Sequence, residues 1–344
     1  MRVGGSLGIP ESMTDATRPV MSESKRIRRF SKVCTRGPIL NYSAKLIIFL
    51  GVAVVTGTVA QNAPPALRVD ASSGSPGARE VMNRVIAGVK EAEREANLYE
   101  RIERVETRKQ AGDSGPVSVK AYRVVPAGTG TAKIPLGPDG KPTDQEAYRT
   151  ELEKLLKSLT WAAETGQPQR EAYLKVQKKL KERDEAIDAT RNAFVFTFLD
   201  DEPRGNRRLS RYKMEPNPAF KPTNRMTSIY MKVKGLIWVD DASHQLARAE
   251  VEVTDDISLG LFMAKIYKSS RFYQDRYEVA PGVWLPTVLQ FDFDGRKFFS
   301  SFSVHEKTYY SGYKRIGPPA EAIPQIQAEL AGLETLKPKQ SLDR

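Results

Sequence analysis

From Asn192 to Ile316 the chain is written almost entirely in period two. The segments "NAFVFTFLD", "RRLSRYKME", "MKVKGLIWVD", "QLARAEVEV", "LFMAKIYKS", "SRFYQDRYEV", "VWLPTVLQFDF", "KFFSSFSVHEK" and "TYYSGYKRI" follow one another at short intervals, separated by Gly, Pro, Asp or Asn. β-Branched and aromatic residues at alternating positions suit a pleated, half-buried surface, and turn formers between them reverse the chain. Two earlier strands, "YERIERVETR" and "VSVKAYRVV", are joined by the Gly- and Pro-containing "KQAGDSGP". Together the segments predict about eleven mostly sequential strands, hence one large curved antiparallel sheet in an α+β, mainly β, fold.

Helical periodicity is confined to three places. Val81, Val85, Val89 and Ala92 mark a helix over about residues 78 to 97, with one face to bury. A charged helical hairpin spans 144 to 191. Tyr148, Leu152, Leu155, Leu156 and Leu159 form the stripe of its first helix, "TGQP" ends that helix, and Tyr173, Val176, Leu180 and Ile187 form a thinner stripe on the second. This hairpin is expected over the mouth or one face of the sheet, as an ordinary covering layer or a lid. The tail, 317 to 344, has room for one short helix at most.

The first 60 residues differ from the rest. A basic cluster (Lys25, Arg26, Arg28, Arg29, Lys32 and Arg36) precedes the apolar run "LIIFLGVAVVTGTVA", Leu46 to Ala60, which ends in small residues. This is the pattern of a secretory signal peptide with a long basic region, cleaved after Ala60, and the run is short of the ~20 residues that a membrane span needs. The chain is therefore expected to be exported. Residues 61 to 77, rich in Pro, Ser, Gly and Ala, read as a flexible leader to a domain over 78 to 316. Residues 1 to 60 hold 9 basic and 3 acidic residues, so half of the +12 net charge belongs to them. The remaining charges are interspersed and give no nucleic-acid signature. Cys34, the single cysteine, precedes the expected cleavage point, which leaves the exported part without a disulfide or a thiol nucleophile.

Candidate chemistry is sparse. Asp240 and Asp241 lie near His244, one of two histidines, but "DDASHQ" falls between two strands, where Asp and Ser bond nearby backbone N–H groups and reverse the chain. A zinc site needs further ligands, and His305 has no spacing relation to His244. "GTGTAK" lacks the Lys-Ser/Thr of a phosphate loop, and "FDFDGRKFF" reads as a hairpin turn at Asp294-Gly295 without the later glutamate of a calcium loop. No Gly-x-Ser-x-Gly or His-Glu-x-x-His motif occurs, so no catalytic or metal-binding residue is assigned and no enzyme is expected. Aromatic weight on the strands is the informative feature. Phe194, Phe196 and Phe198 share one face of a strand whose other face is also apolar, and Trp238 and Trp284 sit in similarly two-sided strands. Strands apolar on both sides need both faces covered, by helices and tail or by a partner or apolar ligand. These five residues are the candidate lining of a hydrophobic cavity.

The hairpin "GLIWVDDASHQLARAEVEV" and the strand "EVAPGVWLPTVLQF", following an N-terminal helix and a meander in an exported chain, resemble the LolA-like periplasmic carriers and their LolB, LppX and RseB relatives over about residues 78 to 316. The resemblance implies an unclosed half-barrel of about eleven strands around helices. It also implies a lipid, acyl-chain or lipoprotein ligand, transient contact with a membrane and no cofactor. The insertion at 144 to 191 departs from the smaller carriers. A second class of function fits the same pattern: an envelope sensor or protein-interaction module whose cavity is filled by its own side chains.

Overall fold

A computed structural model describes residues 76–112, 114–224, 227–259, 264–298 and 300–335. The expected signal peptide and nearly all of the leader lie outside the described residues. Within them the alternating segments form a twelve-stranded sheet, antiparallel at every pairing, ordered β3-β2-β1-β12-β11-β10-β7-β6-β5-β4, with two short strands, β8 and β9, attached beside β11. The strands are β1 (Tyr99–Arg108), β2 (Ser118–Pro126), β3 (Thr131–Leu136), β4 (Phe194–Arg204), β5 (Arg207–Pro216), β6 (Val233–Asp240), β7 (Leu246–Val253), β8 (Ile257–Leu259), β9 (Ala264–Ile266), β10 (Arg271–Ala280), β11 (Val283–Lys297) and β12 (Ser300–Arg315). The ends of the order, β3 and β4, do not pair with each other, so the sheet is unclosed. Among the described residues four α-helices accompany it: α1 (Pro76–Glu95), α2 (Gln145–Ala163), α3 (Gln167–Ala193) and α4 (Pro319–Thr335).

Alternation along each strand sets two faces. The inner face, covered by α1, carries the main core: Met82, Val85, Ile86 and Val89 of α1 pack with Phe194, Tyr212, Ile237, Val251, Phe272, Leu289 and Phe291. Each such apolar side chain contributes about 1.5–3 kcal/mol on full burial. At the β3 end a second core joins Val125 and Ile134 to Leu152, Leu155 and Leu159 of α2 and to Ala322 and Ile326 of α4. Helix α2 starts where the Asp144 side chain accepts the N–H groups of Glu146 and Ala147, an N-cap worth about 1 kcal/mol. The helical hairpin is thus divided in its packing. Helix α2 closes the β3 end, while the C-terminal half of α3 runs beside α1, with Lys90 paired to Asp188 and Arg94 to Asp184.

Three local expectations are corrected. Asp294-Gly295 is not a turn, because β11 continues to Lys297. The glycine suits the close pairing with β9, for a Cβ at Gly295 would stand 2.2 Å from the Lys265 carbonyl oxygen. "KFFSSFSVHEK" and "TYYSGYKRI" form one strand, β12, which absorbs an extra residue opposite β1 near Gly312, where φ is +60°. The tail carries a 17-residue helix despite Pro319 and Pro324. Proline at the first helical position costs nothing there, and packing on α2 offsets the single backbone bond lost at Pro324.

Candidate functional site

The opening hairpin of the resemblance folds as turn chemistry requires. Strand β6 ends at Asp240 and β7 begins at Leu246. One Asp240 oxygen accepts the Ser243 backbone N–H at 2.9 Å and its hydroxyl at 2.7 Å, and the other accepts Arg207 at 3.1 Å. Burial alone would raise the Asp240 carboxyl, yet the Ser243 bonds and Arg207 together hold it below its ordinary value. His244 takes a left-handed conformation, φ +54°, at the reversal. His305 lies on β12, 3.4 Å from Asp292 and 3.5 Å from Asp294. Among the described residues no group of three or more His, Cys, Asp or Glu is placed to hold a metal ion.

The five aromatic candidates divide between the two faces of the sheet. Phe194, Phe196 and Phe198 stand in a row on the inner face of β4, opposite Pro216, Met214 and Tyr212 of β5. The row runs outwards: Phe194 is 3% exposed, Phe196 is half-buried, and Phe198 is 47% exposed at the open edge of the sheet. Phe194 packs tilted against Tyr230 at 5.4 Å, and Phe198 meets Tyr212 edge-on at 5.7 Å. Further in, Phe272, Phe291 and Phe293 continue the aromatic seam across β10 and β11.

Trp238 and Trp284 belong to the outer face, in a small core with Leu209 and Ala247. Guanidinium groups cover them: Arg248 lies 5.0 Å from the Trp238 ring and Arg207 5.0 Å from the Trp284 ring. Tyr277 stacks on Trp284 and is itself covered by Arg204 at 4.4 Å. The arginines are paired in turn with Glu202, Asp275 and Glu278, and Trp238 donates its indole N–H to Glu202 at 2.7 Å. Cation–π contacts of this kind contribute about 0.5–1 kcal/mol each near a surface.

The inner face also holds polar groups that the strand pattern does not single out. Gln274 and Arg276 occupy successive inward positions of β10, and both are 1% exposed. Arg276 bonds to Glu93 of α1 at 3.1 Å, and Glu93 pairs on its other oxygen with Arg183 of α3. Burial lowers the Arg276 guanidinium, and Glu93 opposes that shift. Among the described residues the Gln274 amide has no hydrogen-bond partner on either atom, and Arg276 Nε has none. In "RFYQDRYEV" the pattern does put Phe272, Gln274 and Arg276 on one face. The other face, with Tyr273, Asp275 and Tyr277, is just as mixed, so alternation alone gave no reason to choose.

A second charged hub is structural. Arg123 bonds Glu100, Glu329 and Tyr148, tying β1, β2, α2 and α4 together; burial, opposed by Arg123 and reinforced by Glu329, pushes the Tyr148 hydroxyl up to about 12. Glu103, fully buried, is held by Arg101 and by Lys133 at 2.6 Å.

No family model matches the sequence, and no curated protein does. Two solved structures are similar to this chain. One, a LolA superfamily protein from Nitrosomonas europaea, is 12% identical and aligns over 71% of this chain and 94% of its own, with a TM-score of 0.25. The other, an outer membrane lipoprotein-sorting protein domain from Vibrio parahaemolyticus, is 9% identical over 68% and 92%, with a TM-score of 0.26. At such TM-scores neither likeness carries an argument about this chain.

Proposed function

We propose that this chain is an exported, non-catalytic binding protein that takes the acyl chain of a lipid or lipid-modified protein against the inner face of its sheet. Delivery towards an outer membrane is the expected use. The observation that carries the reading is the phenylalanine row of β4, which leads from the buried core at Phe194 to solvent at Phe198 along an unpaired sheet edge. Helix α1 is the cover that an entering chain would displace. Its apolar stripe already occupies the face that the ligand would use, so one apolar surface is exchanged for another at ~25 cal/mol per Å² on each side. The basic cluster and apolar run of residues 25 to 60 support export, with a periplasmic destination.

The test is direct. Residues 61 to 344 are purified, extracted with organic solvent, and the extract is analysed by mass spectrometry; an acyl-containing species at near-stoichiometric amount is expected. An empty extract, together with failure of the protein to take up added long-chain fatty acid, would sink the reading.

A second reading, an envelope sensor or interaction module, is favoured by the closure of the inner face by the chain's own side chains. It predicts an empty extract and a stable complex with an envelope protein in pull-down.

A further inference from the structure

We infer that Gln274 and Arg276 form the polar end of the acyl site, and that they select a chain whose head carries both a carbonyl and an N–H, an amide, over the corresponding ester. This deepens the acyl-binding reading and rests on it.

The two side chains point to the inner face from successive positions of β10, about 6–7 Å apart along the strand. Both are withdrawn from water to 1% exposure. Directly across from Gln274 stand Ala249 on β7 and Leu289 on β11, neither of which can hydrogen-bond through its side chain. Among the described residues Gln274 Nε2 and Oε1 are both unpartnered, and so is Arg276 Nε, although the Arg276 Nη2 group is bound to Glu93. Buried amides are nearly always bonded, so a glutamine idle at both atoms in an apolar core calls for a partner.

The unfilled set is specific. It offers two N–H donor groups and one carbonyl acceptor, all on one side of the strand and all beneath the helix that an acyl chain would displace. A trans amide head, whose carbonyl and N–H point oppositely, matches the two positions together: its carbonyl accepts from Arg276 Nε and its N–H donates to Gln274 Oε1. An ester of the same shape has only acceptors and leaves Oε1 buried and idle, the situation in which sites built for hydrogen bonds reject an analogue. The apolar neighbours along the same face, Phe272, Leu289 and Phe291, would hold the chain that follows.

The probes are N-methylhexadecanamide and methyl hexadecanoate, which differ in one N–H, each titrated against residues 61 to 344 and against the Gln274→Leu variant. The wild-type protein is expected to bind the amide about tenfold more tightly, the worth of one net hydrogen bond. In Gln274→Leu the two affinities become equal, and the unligated variant unfolds at a higher temperature because an idle amide has become an apolar side chain of similar size. Equal binding of amide and ester by the wild type overturns the inference and leaves acyl binding standing, as when a water fills the site. A preference retained in Gln274→Leu overturns it too. Binding of neither probe overturns the inference and the acyl reading together.

Discussion

Arg276 Nη2 lies 3.1 Å from Glu93 Oε1, and this ion pair joins helix α1 to the sheet floor that it covers. Glu93 also holds Arg183, so a single carboxylate serves two guanidinium groups, one of them fully buried. Removing one partner of a buried pair leaves the other uncompensated, which typically costs about 3–5 kcal/mol, whereas replacing both with apolar residues is often neutral. Glu93→Leu is therefore expected to lower stability by roughly that amount in urea denaturation, and Glu93→Leu with Arg276→Met to recover most of it. A single-variant loss below about 1 kcal/mol would show that the pair does not secure α1.

Gly235 on β6 has no room for a side chain. A Cβ there would stand 2.1 Å from the Glu250 carbonyl oxygen, and that oxygen belongs to paired backbone that cannot swing aside. Gly235→Ala is expected to cost about 1–3 kcal/mol or more by overpacking. Gly282, which has open space around its Cβ position but a φ of +75°, gives a control in which only backbone strain operates. Equal and negligible losses at the two sites, measured by chemical denaturation, would contradict the close approach.

How much of this was legible depends on the range of the interaction that decides each feature. The hairpin at 240 to 245 was legible because Asp240 and Ser243 act on their own neighbours. So were most of the strands, whose period is local, and the α1 stripe, although β12 reads as two segments and β3 is not singled out. Asp294-Gly295 misled because that glycine suits the pairing with β9, which approaches from outside the β11 segment. The face on which Trp238 lies could not be read either. Alternation says that Trp238 and Ile237 point oppositely, but only the packing of α1 says which side is inner. Gln274 and Arg276 share one face of β10, which the packing of α1 makes the inner one, and the partner of Arg276, Glu93, is 183 residues away.

Asp240 makes the hairpin sensitive to acid in a defined window. Its carboxyl is held below the ordinary value of 3.8, so the stabilisation it provides is complete above that pH and is lost as the pH falls through the lower value of the folded state. Asp240→Asn is expected to cost about 1–3 kcal/mol at neutral pH, the worth of hydrogen bonds to a charged group. Below pH 3.8 the wild type loses that advantage and the gap between the two proteins closes. Urea midpoints at neutral pH and in this acid range check the sign; a gap that stays constant or widens in acid excludes the ionised carboxylate as the source.

The division of the aromatic residues between two faces separates ligand binding from scaffold stability. Phe196 is half-buried between Phe194 and the exposed Phe198 on the inner face, on the route by which an acyl chain would enter. Trp238 stands on the outer face, between Arg248 and the carboxylate of Glu202. Phe196→Ser is expected to weaken uptake of a long-chain fatty acid about tenfold or more, through lost apolar contact of about 1.5–3 kcal/mol. Trp238→Phe loses the indole hydrogen bond to Glu202, costs about 1.5–3 kcal/mol of stability, and leaves fatty-acid affinity unchanged. Affinity is read by displacement of a fluorescent fatty acid and stability by urea unfolding of the same samples. If Trp238→Phe weakened binding as much as Phe196→Ser did, the ligand would be on the outer face, among the arginines, and the α1-covered face would be core alone.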